Sequence, residues 1–195
     1  QNPSFIFQNI VQANGLENVT IDNTYAQPAD LNTAVASGQV SIAVLPEPMV
    51  TVAKSKNPDL QVALDLTAEW DKVSPAGSLV QGCVVVRKAF AEEHPEQVAA
   101  FLEEYEASIA LCAEDTATAA SYIAEAGILG NETIAAEAMP RCNLCFVTGE
   151  EMKTAVSAYF IMGRSVNSRN RVFCLEPDGI RTEAHDPALM KDPHL

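Results

Sequence analysis

The 195-residue chain is short of positive charge. Twelve lysines and arginines face 26 aspartates and glutamates, a net charge of −14. Such a surface repels phosphate backbones, which argues against nucleic acid as a partner. Histidine is scarce too: His94, His185 and His194 are all there are, and no nucleophile–histidine–carboxylate set can be assembled around them. Neither Gly-x-Gly-x-x-Gly nor a P-loop occurs, so a phosphate-cradling loop of those kinds is missing. No apolar run approaches the ~18 residues of a membrane span. No signal-peptide pattern is visible, and Gln1 opens directly on what reads as folded sequence, whether a mature form or a fragment. Five irregularly spaced cysteines do not make a disulfide-stapled miniature fold. One or two bridges stay open in an oxidising compartment. The lack of catalytic chemistry favours binding over turnover.

What is present is ordinary for a soluble globular chain: 48% apolar and 19% charged residues. The whole −14 lies in residues 1–163, while 164–195 is neutral and holds four of the six arginines (Arg164, Arg169, Arg171, Arg181). Composition therefore changes near Gly163.

The first half alternates. "NPSFIFQNIVQANGL" predicts a helix with Pro3 in its first turn and Asn14-Gly15 as its stop. "NVTIDNTY" predicts a strand, and "PADLNTAVASGQ" a short helix closed by Gly38. "VSIAVLP", "LQVALDL" and "VQGCVVVRK" are short and apolar on both faces, as central parallel strands are. "EPMVTVAKSKNP" predicts a helix between the first two, and "TAEWDKVSPAGSL" a polar loop or short helix. Strands and helices at this spacing predict βαβ units and a mostly parallel sheet. From Phe90 onward the pattern is helical. A long amphipathic stretch with Val98, Phe101, Leu102, Tyr105 and Ile109 on one side is followed by three further helices.

Pro46-Glu47-Pro48 sits where the first of these apolar runs ends and a helix begins. Ligands of open α/β sheets bind beyond the carboxyl ends of strands, where helix N-termini offer free N–H groups. Flanking prolines stiffen the loop, so holding Glu47 in one place costs less entropy. Glu47 is thus a candidate ligand contact; it also reads as a carboxylate favourable to the helix dipole. Asn2 and Ser4 stand at another helix start, able to meet a polar ligand or simply to cap. Trp70, the one tryptophan, lies in a polar segment and either stacks on a ligand or caps the core. Gln81 is a further polar candidate. "CNLC" at 142–145 is a lone CxxC after a helix, not between a strand and a helix, and it lacks the second pair of a zinc site. A bridge to Cys83 and free buried thiols are the structural readings of these cysteines.

"ASGQVSIAVLPEPMVTVA", "VALDLTAEWDKV", "QGCVVVRKAFAEEHPEQVAAFLEEYEASI" and "AGI…AMPRCN…GEEMKTAV", in that order, resemble the solute-binding proteins of ABC importers. The similarity is to the nitrate/sulfonate/taurine branch, which includes binders of thiamin-pyrimidine-like molecules, and it runs over residues 1–162. It implies a two-lobed, periplasmic-binding-protein-like α/β fold, with most of the first lobe lying before Gln1. Residues 1–82 would form the second lobe, 83–162 a crossover strand and helices rejoining the first, and 163–195 an atypical, poorly packed tail. It implies no cofactor, no metal and no catalysis, a small-molecule solute in an interlobe cleft, a membrane permease as partner, a monomer, and an extracytoplasmic, lipid-anchored setting. A carboxylate at Glu47 suits an amine or heterocyclic N–H better than a bare sulfonate or nitrate. Two rivals share the sequence: a pyrimidine-synthase-like enzyme on the same fold and a dithiol module using Cys142 and Cys145. An effector domain of a transcription factor is a third.

Overall fold

Asn14-Gly15 and Ser37-Gly38 end two helices by the same device. Each glycine takes a left-handed φ, 64° and 75°, which a side chain would resist. The helices they close are α1, Asn2–Ala13, and α2, Pro28–Ala36. These and the following elements come from a computed structural model that describes residues 2–75, 77–166, 174–176 and 179–181. Further along are α3 (Met49–Lys56), α4 (Leu66–Val73), α5 (Lys88–Glu93), α6 (Pro95–Glu114), α7 (Thr116–Glu125) and α8 (Glu132–Ala138). A 3-10 turn, Met139–Arg141, and α9, Gly149–Val166, complete the helices. The stretch that reads as one helix from Phe90 to Asp115 is two, parted at His94, because Pro95 disfavours helical backbone in the residue before it.

The chain forms two compact units: residues 1–65 with 96–146, and residues 66–95 with 147–195. In the first, α2 packs on α3, α3 on α8, and α8 on α7. The α7–α8 contact is built from small side chains, Ala119, Ala120 and Ala135, with Met139 of the 3-10 turn closing the cluster and Cys112, Ile123 and Leu129 packed around it. Alanine facing alanine lets the helix backbones approach closely. Polar clips complete the α2–α3 pair. Buried Asn32 donates to the Met49 carbonyl, and Asn57 at the end of α3 donates to the Ala36 carbonyl at 3.2 Å. In the second unit Trp70 of α4 and Tyr159 of α9 are buried with their rings 5.8 Å apart, and Val156 of α9 is buried too.

The mostly parallel sheet expected from 40–46, 60–66 and 80–88 is not formed among the described residues. Those segments carry no strand pairing, and Ile42, Leu64 and Val85 stand exposed. The predicted strand at 18–25 is likewise unpaired. β-Branched, apolar composition favours extended backbone, but a ladder also needs a neighbouring strand at about 4.8 Å, and local sequence does not name that neighbour. The one strand pairing described is antiparallel, β1 (Cys174–Glu176) with β2 (Gly179–Arg181). The remainder of the expected poorly packed tail, from 167 onward, lies outside the described residues. Among the described residues no helix is long and apolar enough to cross a membrane.

Two side chains set where α7 and α8 begin. Asp115 accepts from the Thr118 N–H at 3.1 Å and from its hydroxyl at 2.7 Å; Asn131 accepts from the Ile134 N–H at 3.0 Å. The Thr118 bonds hold the Asp115 carboxyl below its ordinary value. A carboxylate whose folded pKa is depressed stabilises the fold above its unfolded pKa and loses that contribution as pH falls through the folded one. Replacing Asp115 with Asn should therefore flatten the acid limb of the stability–pH curve below about pH 4, measured by urea denaturation. Asn131→Ala should lower stability by about 1 kcal/mol at every pH.

Candidate ligand-binding site

The Pro46-Glu47-Pro48 loop feeds directly into α3. The Pro46 and Pro48 carbonyls accept from the N–H groups of Val50 and Val52, so the first turn is already winding at Glu47. Thr51, in the first turn of α3, meets the side chain of Glu47, which belongs to the turn just before the helix. One carboxylate oxygen of Glu47 accepts from both the Thr51 N–H (3.2 Å) and the Thr51 hydroxyl (2.8 Å). The other accepts from Arg141 Nε at 2.7 Å. Arg141 Nη2 then donates to the Thr51 hydroxyl at 2.6 Å, closing a three-residue ring of hydrogen bonds.

Burial is unequal within the ring. Thr51 is fully buried, the Glu47 side chain is 11% exposed, and the Arg141 side chain is 47% exposed. The carboxylate is thus nearly dry and held by charge-assisted bonds, which are stronger than neutral ones. Arg141, lying in the 3-10 turn after α8, is raised above its ordinary value, first by its hydrogen bond to Glu47 and against partial desolvation. Glu137, one turn back, adds a weaker contact at 4.0 Å.

The other predicted residues fall elsewhere. Ser4 is half-buried in the first turn of α1, and the side chain of Asn2 lies outside the described residues. Trp70 is completely buried, its indole N–H donating to the buried Ser78 hydroxyl at 2.9 Å and its ring against Tyr159. Of the two readings of Trp70, the structure gives the core one. Gln81 is exposed and belongs, with Trp70, to the second unit, whereas Glu47 and Ser4 belong to the first. Sequence reasoning missed Thr51 and Arg141. Scarcity was the available signal: only Arg87 and Arg141 precede the arginine-rich end in a strongly acidic chain.

Next to the ring, the Cys142 thiol points back at the Ala138 carbonyl, 3.4 Å away. Desolvation, then the nearby Glu47 charge, push it above the usual thiol value, with Arg141 opposing. A redox-active thiol needs the reverse shift, because the thiolate is the nucleophile. Cys83, Cys112, Cys142 and Cys145 are free, and all but Cys112 are exposed, so the expectation of buried thiols does not hold. Among the described residues no group of three His, Cys, Asp or Glu side chains is placed to hold a metal ion.

In this arrangement both oxygens of Glu47 are engaged, one by Thr51 and the other by Arg141. Residues 4–139 match the family described as the substrate-binding domain of ABC-type glycine betaine transport systems. The chain belongs to that family. The match spans the loop at 46–48 and ends two residues before Arg141. It bears out the resemblance to ABC-importer solute-binding proteins and the periplasmic-binding-protein-like fold, but not the nitrate/sulfonate/taurine subtype. Binding domains of this family take up a small solute and deliver it to a membrane permease; they are not enzymes. Neither a curated protein nor a solved structure matches the chain.

A double-mutant cycle checks whether the ring acts as a unit. Glu47→Gln and Arg141→Gln should each lower stability by about 1–3 kcal/mol, since each leaves a partner unsatisfied. The double variant should be less destabilised than their sum, by roughly 1 kcal/mol, as read by urea denaturation. Additive effects would mean that the two charges do not interact energetically.

Proposed function

We propose that this chain captures a small organic solute carrying a positively charged nitrogen, of the glycine betaine kind, and that Glu47 is the carboxylate that meets that nitrogen. The observation that carries the reading is the family match across the loop that holds Glu47. The near-dry setting of the carboxylate supports it. In a low-dielectric position a fixed negative charge favours a weakly hydrated cation and opposes a bare nitrate or sulfonate. A nitrate- or taurine-type solute, implied by the narrower sequence resemblance, fits Glu47 less well for that reason.

The mechanism is capture without chemistry. Two lobes of a binding protein close on the solute about a hinge, and the closed form is the one a permease recognises. In this reading residues 1–82 contribute the second lobe, and 83–162 the return to the first. The protein works outside the cytoplasmic membrane, tethered by lipid, as a monomer. Ser4, in the same unit as Glu47, is a secondary solute contact. Trp70 is better read as a core residue whose packing holds α4, given its complete burial.

Isothermal titration with glycine betaine, choline, taurine and nitrate checks the reading. Glycine betaine or choline should bind, and Glu47→Gln should weaken that binding at least tenfold, about 1.4 kcal/mol. Taurine and nitrate should give no heat above dilution. Preferential binding of taurine or nitrate, or indifference to Glu47→Gln, would refute it.

A further inference from the structure

Glu47 and Arg141 are unequally placed for separation. Baring the carboxylate is costly, because a desolvated charge without a partner is strongly disfavoured. Returning the guanidinium to water is cheap, since nearly half of its side chain is already there. Arg141 also sits on a three-residue 3-10 turn, with Asn143 just beyond it in the left-handed region at φ 50°. The helix before it, α8, has its own seat: Ala135 packs with Ala119 and Ala120 of α7, and Met139, which opens the 3-10 turn, is anchored in the same cluster. Arg141 can swing out while α8 stays docked. Its departure gives up the bonds to Glu47 and Thr51, and the larger cost is that Glu47 would be left without a cation.

We propose that Arg141 is a built-in competitor at the solute site: it occupies Glu47 in the solute-free protein and is displaced by the solute's positively charged nitrogen. The inference rests on the reading of Glu47 as the solute-facing carboxylate. After the exchange the Thr51 N–H and hydroxyl still donate to the other carboxylate oxygen, so Glu47 keeps its position while its cation changes. The competition sets a threshold, and hydration decides which cations clear it. An inorganic cation such as sodium surrenders a tight water shell to enter, whereas an alkylammonium ion surrenders little, and each must outbid the same guanidinium. Arg141 thus sets the affinity threshold that every cation has to pass, while the hydration difference decides which cations pass it.

The test uses the full chain, ¹⁵N-labelled, with tetramethylammonium chloride as probe and sodium chloride at equal ionic strength as control. The Arg141 Nε–H resonance is identified by its disappearance in Arg141→Lys. On titration with the probe, this resonance should shift and its exchange with water should accelerate roughly tenfold as the hydrogen bond opens. Sodium should leave it unchanged. Calorimetry should find Arg141→Gln binding the probe roughly three- to tenfold more tightly than the wild type, the competitor having gone. If the probe binds in a Glu47-dependent way while the Nε–H signal does not respond, the exchange is overturned and the role of Glu47 stands. If Arg141→Gln folds and binds no more tightly, the result is the same. If the probe binds wild type and Glu47→Gln alike, or binds neither wild type nor Arg141→Gln, both ideas fall. The wild-type spectrum decides the matter even where Arg141→Gln does not fold.

Discussion

A carboxylate withdrawn from water needs a cation, and Glu47 finds one 94 residues away in the sequence. That requirement organises the first unit. The Arg141 guanidinium must reach the start of α3, so the turn that ends α8 must lie beside it. The packing of α3 on α8 and of α8 on α7 is consistent with that placement. Thr51 makes the arrangement tight by donating to the carboxylate and accepting from the guanidinium with one hydroxyl. A single small side chain thereby joins both charges, and it is completely buried.

The helices were legible because their signals are local. Asn14-Gly15, Ser37-Gly38 and Asn57-Pro58 stop helices through backbone conformations that a few residues dictate, and the ends of α1, α2 and α3 fall there. The break at His94 was available from Pro95 but was overridden by the continuous amphipathic pattern on either side. The sheet was less legible. The segments at 40–46, 60–65 and 80–87 carry strand-like composition, yet composition specifies neither a partner nor a register. Trp70 was ambiguous for a related reason. One aromatic in a polar stretch has no periodicity to assign it to a face, and only the Tyr159 ring and the Ser78 hydroxyl, distant or off-pattern in sequence, reveal it as core.

The site was half legible. Glu47 could be found from its flanking prolines and its place between an apolar run and a helix. What it touches could not, because Arg141 comes from a turn whose own signal, "MPRCN", points nowhere in particular. The structure thus changes how Glu47 is understood. It is not a bare hook at the mouth of a sheet but one half of a closed pair with Arg141. A binding protein gains from such an arrangement: the charge is kept in place by a partner that water can take back. The neighbouring Cys142 has its thiol pushed towards the protonated form, which does not favour a reactive thiolate.

The central claim is that the solute's cationic nitrogen is received at Glu47. A crystal structure of the chain grown with glycine betaine tests it most directly. The account predicts the solute nitrogen within about 4–6 Å of the Glu47 carboxylate, the range over which opposite charges couple strongly, with the Arg141 guanidinium turned towards solvent. Glycine betaine bound elsewhere, with the Glu47–Thr51–Arg141 ring still closed, would contradict it.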